Sequence, residues 1–229
     1  MFAEISYRRE AIRGRGAGRR TISGVAIVLS GLPGAGKSTV GRLLAPRLGR
    51  DFVDADEVAG PFYAEVSWSI ERLQNLSAAV GYEAAHLAWE EALVHGLERI
   101  VEMYADAVIA LGGGHTHVTS PARFDRVRLA LGRVEGVILL RPSPDPHVAV
   151  GMLRQRCLLS KGHDWRGQGV DWLERWSNDG RDELLATATI YNGHEPATET
   201  ALRLRSVLQR GPAPSHERAS GNLRRDDRT

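Results

Sequence analysis

A glycine-rich run placed directly after a short apolar segment constrains this chain more than any other feature. The apolar segment, residues 25–30 (VAIVLS), is rich in β-branched residues and does not alternate, which is typical of a strand buried on both faces of a parallel sheet. Residues 31–38 (GLPGAGKS) fit the pattern G-x-x-x-x-G-K-[ST], and a helical pattern from about residue 37 to 48 follows. This order of strand, loop and helix predicts a site for the phosphates of a nucleotide.

The residue types in this loop each suit one task in phosphate binding. The glycines let backbone N–H groups turn toward phosphate oxygens, and the start of the helix adds partial positive charge. Lys37 is predicted to bridge the β- and γ-phosphates and to be catalytic, and Ser38 is predicted to ligate Mg²⁺. The residues predicted to bind the nucleotide are Gly31, Gly34, Ala35, Gly36, Lys37, Ser38, Thr39 and Arg154.

Strand-like and helix-like segments alternate along the rest of the chain. Strands are predicted at residues 52–53, 107–111, 136–140 and, more weakly, 187–191. Helices are predicted at residues 67–76, 83–104, 123–131, 146–156 and 196–209. The predicted fold class is therefore α/β, a three-layer P-loop NTPase fold with a central parallel sheet of about five strands and a mobile lid segment.

One domain with two polar ends is expected. We predict a basic, flexible N-terminus over residues 1–22, a P-loop domain over residues 23–210 and a disordered tail over residues 211–229. The lid, at about residues 157–180, is rich in Gly, Asp, Arg and Trp and has no clean period. Six arginines precede the first strand. They are only weak evidence for binding to nucleic acid, because that segment is predicted to be flexible.

The composition narrows the class of protein. No apolar run approaches the roughly 20 residues that span a bilayer, so we expect no membrane segment. The formal net charge is only +2, which does not favour nucleic-acid binding. Cys157 is the sole cysteine, so no intramolecular disulfide forms and a cytoplasmic location is expected. The oligomeric state is not indicated by any pattern.

Acidic and glycine motifs follow two of the predicted strands. Asp54 and Asp56 end the second strand, at the sheet edge where the ligands of open α/β folds collect. One carboxylate can hold Mg²⁺ and the other can accept the proton of an attacking hydroxyl, with an acidic helix cap as the alternative. The three glycines at 112–114 would let a substrate or the γ-phosphate approach the backbone closely, and a plain tight turn is their alternative.

Positive charge and aromatic rings concentrate near the lid segment. The residues placed to put positive charge on a moving phosphoryl group are Arg154, Arg156, Lys161 and Arg166. A solvated basic surface is the alternative. Three tryptophans, which either pack or stack on a substrate, are Trp165, Trp172 and Trp176.

A zinc site is not expected. The candidate ligands, whose spacing matches no known zinc pattern, are His115, His117, Cys157 and His163. His115 and His117 are instead expected to line the substrate pocket or to cap the following helix.

Taken together, these motifs resemble those of the shikimate kinase family of small P-loop metabolite kinases. The resemblance rests on residues 31–39 (GLPGAGKST), 52–56 (FVDAD) and 110–114 (ALGGG), and residues 156–159 (RCLL) are similar to the family's lid motif Arg-Pro-Leu-Leu. It extends from about residue 25 to about residue 209. It implies a phosphotransferase that uses ATP and Mg²⁺ and whose acceptor is an alcohol group of a small molecule.

The resemblance also implies roles for individual residues. Ser38 and Asp54 would hold Mg²⁺, Asp56 would bind and activate the acceptor hydroxyl, and Arg156 would stabilise the transferring phosphoryl group. Arg181 falls roughly where the family has an arginine for the substrate carboxylate. The residues expected to bind the substrate are Asp56, His86, Gly112, Gly113, Gly114 and Arg181.

One departure from the family pattern bears on the substrate. Residues 81–90 (GYEAAHLAWE) resemble a family helix with one residue inserted, and Leu87 stands where the family places a shikimate-binding arginine. Arginine binds carboxylates unusually well, so its loss predicts that shikimate is not the substrate. A polyol, sugar, cyclitol or cationic group suits the neighbouring residues. The alternatives are an antibiotic-inactivating O-phosphotransferase, a nucleoside or nucleotide kinase and, more distantly, an ATP-binding regulatory switch.

Overall fold

Five parallel strands form the central sheet of the protein, whose computed structural model describes residues 25–210. Two further short strands form an antiparallel hairpin. In chain order the strands are Ile27–Ser30 (β1), Asp51–Asp54 (β2), Ala107–Ala110 (β3), Gly136–Arg141 (β4), Arg166–Gly167 (β5), Val170–Asp171 (β6) and Ala188–Tyr191 (β7). The sheet has the strand order β2-β3-β1-β4-β7, which confirms the predicted α/β fold class.

The first strand lies at the centre of the sheet. Ile27 stands opposite Val108 of β3 on one side and Gly136 of β4 on the other. All four residues of β1 are buried, which explains why its sequence does not alternate. Because the five strands are parallel, the loops that follow β1, β2 and β3 meet at one edge of the sheet.

Helices cover both faces of the sheet. They are Lys37–Leu48 (α1), Ala55–Val58 (α2), Gly60–Glu65 (α3), Ile70–Val80 (α4), Tyr82–Met103 (α5), Pro121–Leu131 (α6), Pro146–Lys161 (α7), Trp172–Ser177 (α8), Arg181–Leu185 (α9) and Ala197–Arg210 (α10). One hydrophobic layer contains Leu97 of α5 and Val127 of α6, and the other contains Leu44 of α1, Leu153 of α7 and Leu204 of α10. The predicted three-layer arrangement follows from these two layers.

Local signals explain where several helices begin and end. The first helix, α1, spans residues 37–48 as predicted. The fourth begins at Ile70 rather than 67 because the Ser69 side chain accepts a hydrogen bond from the N–H of Arg72 at 3.0 Å. The seventh continues past its predicted end at 156 to Lys161, where Gly162 ends it with a φ of 72°.

The segment predicted as a mobile lid has regular structure. Residues 157–180 contain the end of α7, the hairpin of β5 and β6, and α8. Trp172 and Trp176 of α8 are buried, with exposed fractions of 7% and 5%. A helix of six residues completes fewer than two turns, so its period could not be recognised in the sequence.

Within residues 25–210, no helix has both the length and the apolar character needed to cross a membrane. The predicted flexible segments 1–22 and 211–229 lie outside the described residues. The predicted domain boundaries therefore stay predictions.

Candidate active site

The loop between β1 and α1 has the geometry of an anion site. Gly34 and Gly36 have φ values of 82° and 91°, which glycine adopts without strain. The N–H of Ala35 donates to the carbonyl of Leu32 at 3.1 Å and closes a turn. Among residues 25–210 no side chain caps the start of α1, so its first N–H groups can bind phosphate oxygens.

Lys37 lies inside this loop. Its Nζ donates to the carbonyls of Gly31 at 2.6 Å and Leu32 at 3.1 Å, and the side chain is buried. Burial lowers the pKa of Lys37 to about 8, although the charges of Asp56 and Asp182 oppose that shift. The ammonium group is thus held beside the backbone that would surround the phosphates, where an anion would stabilise its charge.

Asp54 and Ser38 meet where β2 ends. The Asp54 carboxylate accepts a hydrogen bond from the N–H of Asp56 at 3.2 Å, and the hydroxyl of Ser38 lies within hydrogen-bonding reach of it. Burial raises the pKa of Asp54 because the charged form has lost most of its water. A hydroxyl and a carboxylate are oxygen donors that Mg²⁺ prefers, so these two residues fit the metal predicted for them.

The carboxylate of Asp56 lies directly against the glycine run after β3. A Cβ atom added to Gly112 would stand 2.1 Å from Oδ1 of Asp56 and 2.6 Å from Nδ1 of His115. His115 is buried, and its Nε2 shares a hydrogen bond with the hydroxyl of Tyr63 at 3.2 Å. Gly112 is therefore required so that Asp56 and His115 can occupy this place.

The other two glycines of the run have different neighbours. A Cβ atom on Gly113 would stand 2.5 Å from Cδ of Pro33, so Gly113 packs on the phosphate loop itself. A Cβ atom on Gly114 would meet only Nε2 of His86, at 3.4 Å. A close approach of the substrate to the backbone was predicted for all three glycines. Of the three, Gly114 leaves the most space for it.

Aromatic side chains from α5 and α8 pack together beyond Gly114. Tyr82 and Trp172 meet edge to face with ring centroids 4.9 Å apart, and His86 lies 6.2 Å from Trp176. We call Tyr82, His86, Trp89, Trp172 and Trp176 the aromatic cluster. It joins the lid segment to the helix that was expected to bind the substrate. Leu87, at the position of the family's arginine, is 51% exposed.

Two carboxylates hold His117 at the other side of α8. Its Nδ1 lies 2.7 Å from Oδ2 of Asp179, its Nε2 lies 3.5 Å from Oδ2 of Asp182, and its ring stacks on Trp176 at 5.3 Å. The hydroxyl of Thr116 also donates to Asp182 at 2.8 Å. Burial alone would lower the pKa of His117, but the two carboxylates raise it to about 9. This network ties the chain after the glycine run to α8 and α9.

The predicted arginines take different positions. Arg156 donates to the carbonyls of Gly34, at 3.4 Å, and Gly193, so it borders the glycine-rich loop; its action on phosphate stays a prediction. Arg154 instead donates to Asp171, which also accepts from Nε of Arg166 at 3.0 Å.

Arg181 and the remaining predicted residues lie farther from the loop or at its rim. Arg181 pairs with Asp179 at 3.0 Å and covers the ring of Phe124. Thr39 is exposed on α1, and Lys161 is exposed at the end of α7. The structure thus brings Lys37, Ser38, Asp54, Asp56 and Arg156 to one edge and places Arg154 and Arg181 in ion pairs.

The sequence did not indicate the contact made by Asn192, nor the internal contacts of Glu90, which was one of the residues near Leu87 that suited a polyol or cationic group. The side chain of Asn192 donates to the carbonyl of Ala35 at 2.8 Å and so holds the phosphate loop from β7. Its position directly after a strand was a usable signal. The buried Glu90 accepts hydrogen bonds from the N–H of Thr119 and from Arg123, at 3.2 Å in the second case. Only tertiary contacts reveal that role.

Known proteins share this chain's motifs and fold. A family model described as shikimate kinase matches residues 33–166, which is more than half of the chain. The shikimate kinase of Corynebacterium efficiens is 40% identical over 88 residues, which are 38% of this chain and 45% of that protein. That of Thermosynechococcus vestitus is 37% identical over 93 residues, 41% of this chain and 45% of that protein. The chain thus matches about half the length of these curated relatives.

Solved structures are similar over more of the chain. A shikimate kinase from Acinetobacter baumannii in complex with shikimate covers 83% of this chain and 96% of its own, with a TM-score of 0.59 and 23% identity. One from Bacteroides thetaiotaomicron covers 81% and 98%, with a TM-score of 0.55 and 20% identity. Because both identities are below 25%, this similarity shows a shared fold and nothing further.

Proposed function

We propose, because this chain belongs to the shikimate kinase family, that it transfers the γ-phosphoryl group of ATP to a hydroxyl group of a small molecule. The observation that carries the proposal is the meeting of Lys37, Asp54 and Asp56 at one edge of the sheet. Phosphoryl transfer needs positioned phosphates, a metal site and a group that takes the acceptor's proton, and these residues can supply all three.

Each part of the edge has a proposed task. The N–H groups at the start of α1 and the ammonium of Lys37 bind the phosphates, with Arg156 on the far side of the loop. Ser38 and Asp54 would hold Mg²⁺, which when bound neutralises charge on the phosphate oxygens. Asp56, beside Gly112, accepts the proton of the attacking hydroxyl.

The acceptor is proposed not to be shikimate. A carboxylate on the acceptor would need a cation, yet Leu87 replaces the family's arginine and is largely exposed to solvent. Arg181, the other candidate, already pairs with Asp179 at 3.0 Å. If a partly buried arginine exchanges its protein carboxylate for the carboxylate of a ligand, the net gain in binding free energy is small, because one ion pair is broken to form another. Sugar-like, drug-like and nucleoside acceptors all remain within the proposal.

Shikimate itself is the second candidate acceptor. The family match favours it, and Arg181 lies on α9, close to the chain that follows the glycine run through its partner Asp179. The two candidates differ in a measurable way, because only shikimate requires Arg181 to exchange one carboxylate for another.

The experiment is to measure ADP release from Mg-ATP with sugars, cyclitols, shikimate, nucleosides and aminoglycosides, and to detect phosphorylated products by mass spectrometry. The expected result is an acceptor other than shikimate that gains one phosphoryl group. Preferential phosphorylation of shikimate would establish the second candidate. ATP binding without transfer to any acceptor would instead favour a regulatory switch.

The role of Asp56 has a separate test. Asp56→Asn keeps the shape of the side chain and removes its basicity, so kcat should fall about a hundredfold or more while the affinity for ATP changes little. Equal losses in both quantities would show that Asp56 supports nucleotide binding rather than proton transfer.

A further inference from the structure

His86 presents a buried polar atom that has no partner. Its side chain is 4% exposed, and within residues 25–210 no group hydrogen-bonds to its Nε2. That nitrogen points at the open side of Gly114, since it is the atom that a Cβ there would meet, at 3.4 Å. A buried nitrogen without a partner is costly unless a ligand hydrogen-bonds to it. The acceptor is proposed to bind beside the glycine run, so a group of the acceptor can form the missing hydrogen bond with Nε2 of His86.

The arginines around the aromatic cluster are already neutralised. Arg175 of α8 pairs with Glu83 of α5 at 2.6 Å, and Arg181 of α9 pairs with Asp179 at 3.0 Å. Arg123 of α6 likewise pairs with the buried Glu90 at 3.2 Å. Moving Arg123 to an anionic ligand would take an ion partner from the buried Glu90, and moving Arg181 would leave Asp179 with His117 alone. This surrounding disfavours an acceptor with a carboxylate or phosphate group.

The tryptophan faces that could bind a cationic acceptor carry the protein's own cations. The guanidinium of Arg175 lies over the ring of Trp172, 5.2 Å from its centroid. The ring of His117, charged at neutral pH because of its two carboxylates, stacks on Trp176 at 5.3 Å. These two ring faces are therefore occupied, so an added ammonium group gains no cation–π contact with them.

His86 itself suits a neutral hydroxyl. Burial lowers the pKa of His86 to about 4, so the imidazole is uncharged at neutral pH. A neutral imidazole nitrogen either donates or accepts one hydrogen bond, depending on its tautomer, and a hydroxyl can satisfy both cases. The half-buried ring of Tyr82, whose centroid lies 5.6 Å from that of His86, offers apolar surface to the C–H face of a saturated ring.

We infer that His86 determines the specificity for the acceptor and that this acceptor is an uncharged polyhydroxylated ring, such as a cyclitol or a sugar, one of whose hydroxyls binds Nε2 of His86 beside Gly114. The inference rests on the proposed function, since it names the substrate class of the same site. It excludes carboxylated and amino-substituted rings of the same size as preferred acceptors.

The test uses acceptors that differ in charge but hardly in shape. One series is D-glucose, D-glucuronate and D-glucosamine, and the other is myo-inositol, shikimate and 2-deoxystreptamine. We expect the uncharged member of at least one series to have the highest kcat/KM, by about tenfold or more, because the charged members displace existing ion pairs. A charged acceptor with the highest kcat/KM would overturn the inference and leave the phosphotransferase intact. Transfer only to a nucleoside or another acceptor outside the two series would overturn the inference alone. ATP binding with no transfer to any of the six, or to any acceptor of the wider panel, would overturn both.

Variants of His86 test the residue independently. His86→Phe fills the same space without the nitrogen, so the KM of the uncharged acceptor should rise about tenfold while the KM of ATP stays within about twofold. Because the change removes a buried atom without a partner, the unfolding midpoint should not fall. His86→Gln, which restores a polar atom, should recover part of the loss, and His95→Gln on the same helix is the control. An unchanged acceptor KM in His86→Phe would refute the role of His86.

Discussion

At the scale of single residues, two buried bases have pKa values shifted in opposite directions. Burial lowers the pKa of Lys37 to about 8, so the ATP-free protein is destabilised while Lys37 is charged, and this cost disappears as the pH rises from about 8 to 10.5. The carboxylates beside His117 raise its pKa to about 9, so its contribution is complete below about pH 6.5 and is lost as the pH rises through 9. Lys37 is the base proposed to act in catalysis, and His117 lies at the joint between the glycine run and α8.

His117→Gln should therefore cost stability mainly at low pH. A shift of this size corresponds to at most about 3 kcal/mol, so the gap in unfolding free energy between wild type and variant should shrink by about 2 to 3 kcal/mol between about pH 6 and pH 9.5. Denaturant titrations of both proteins at the two pH values measure this difference in unfolding free energy. The control is His147→Gln, which removes an exposed imidazole from α7. A gap for His117→Gln that does not depend on pH would show that its imidazole is neutral in the folded protein.

The glycine run offers a matched pair of substitutions. In Gly112→Ala the new methyl group would meet Oδ1 of Asp56 at 2.1 Å, so Asp56 must move and kcat should fall about a hundredfold. In Gly114→Ala the corresponding contact is 3.4 Å, from His86, so Asp56 stays in place and kcat should change severalfold at most. The KM of the acceptor should rise, because the methyl group fills the space beside Nε2 of His86. Steady-state kinetics of the two purified variants give their kcat values. Equal losses of kcat at the two positions would argue against the proposed place of Asp56.

At the scale of elements, the hairpin of β5 and β6 controls an arginine expected at the nucleotide. Asp171 pairs with Arg154 and also caps α8, accepting from the N–H of Glu174 at 3.2 Å. Asp171→Asn keeps an acceptor for the cap and removes the charge, so Arg154 becomes available to phosphate and the KM for ATP should fall severalfold. Asp164→Asn, whose ion pair with Arg166 is looser at 3.9 Å, is the control. An unchanged KM with lower thermal stability would make Arg154 a structural residue.

Elements differ in how far their sequence reveals them. The unit of β1, loop and α1 was predictable because its apolar run, glycines and helical pattern agree with one another within a short stretch. The segment from Gly162 to Arg181 was not, since its helices are short and its order depends on contacts with α5 that are distant in sequence, such as Arg175 with Glu83. The same reason hid the ion pairs of Arg154 with Asp171 and of Arg181 with Asp179. Asp54 and Asp56 follow the end of β2, and Lys37 follows the loop after β1, so the sequence alone predicted that they share one edge of the sheet.

At the scale of the whole molecule, every residue assigned a task lies between Val25 and Arg210. A protein reduced to residues 23–210 should therefore keep its kcat and its KM for ATP within about twofold of the full chain, because it retains every side chain to which a task is assigned and both hydrophobic layers described for residues 25–210. Steady-state kinetics of the two proteins with the same acceptor give the kcat and the KM for ATP of each. Loss of activity in the shorter protein would point to an acceptor that binds the removed ends, such as a macromolecule.

The packing of Gly113 on Pro33 has a consequence for how the two substrates influence each other. The loop proposed to surround the phosphates and the loop proposed to border the acceptor touch there, because a Cβ on Gly113 would come within 2.5 Å of the proline ring. Any movement of Pro33 toward Gly113 on nucleotide binding would therefore be passed to the second loop. Any synergy that results is reciprocal: the factor by which ATP tightens the acceptor equals the factor by which the acceptor tightens ATP.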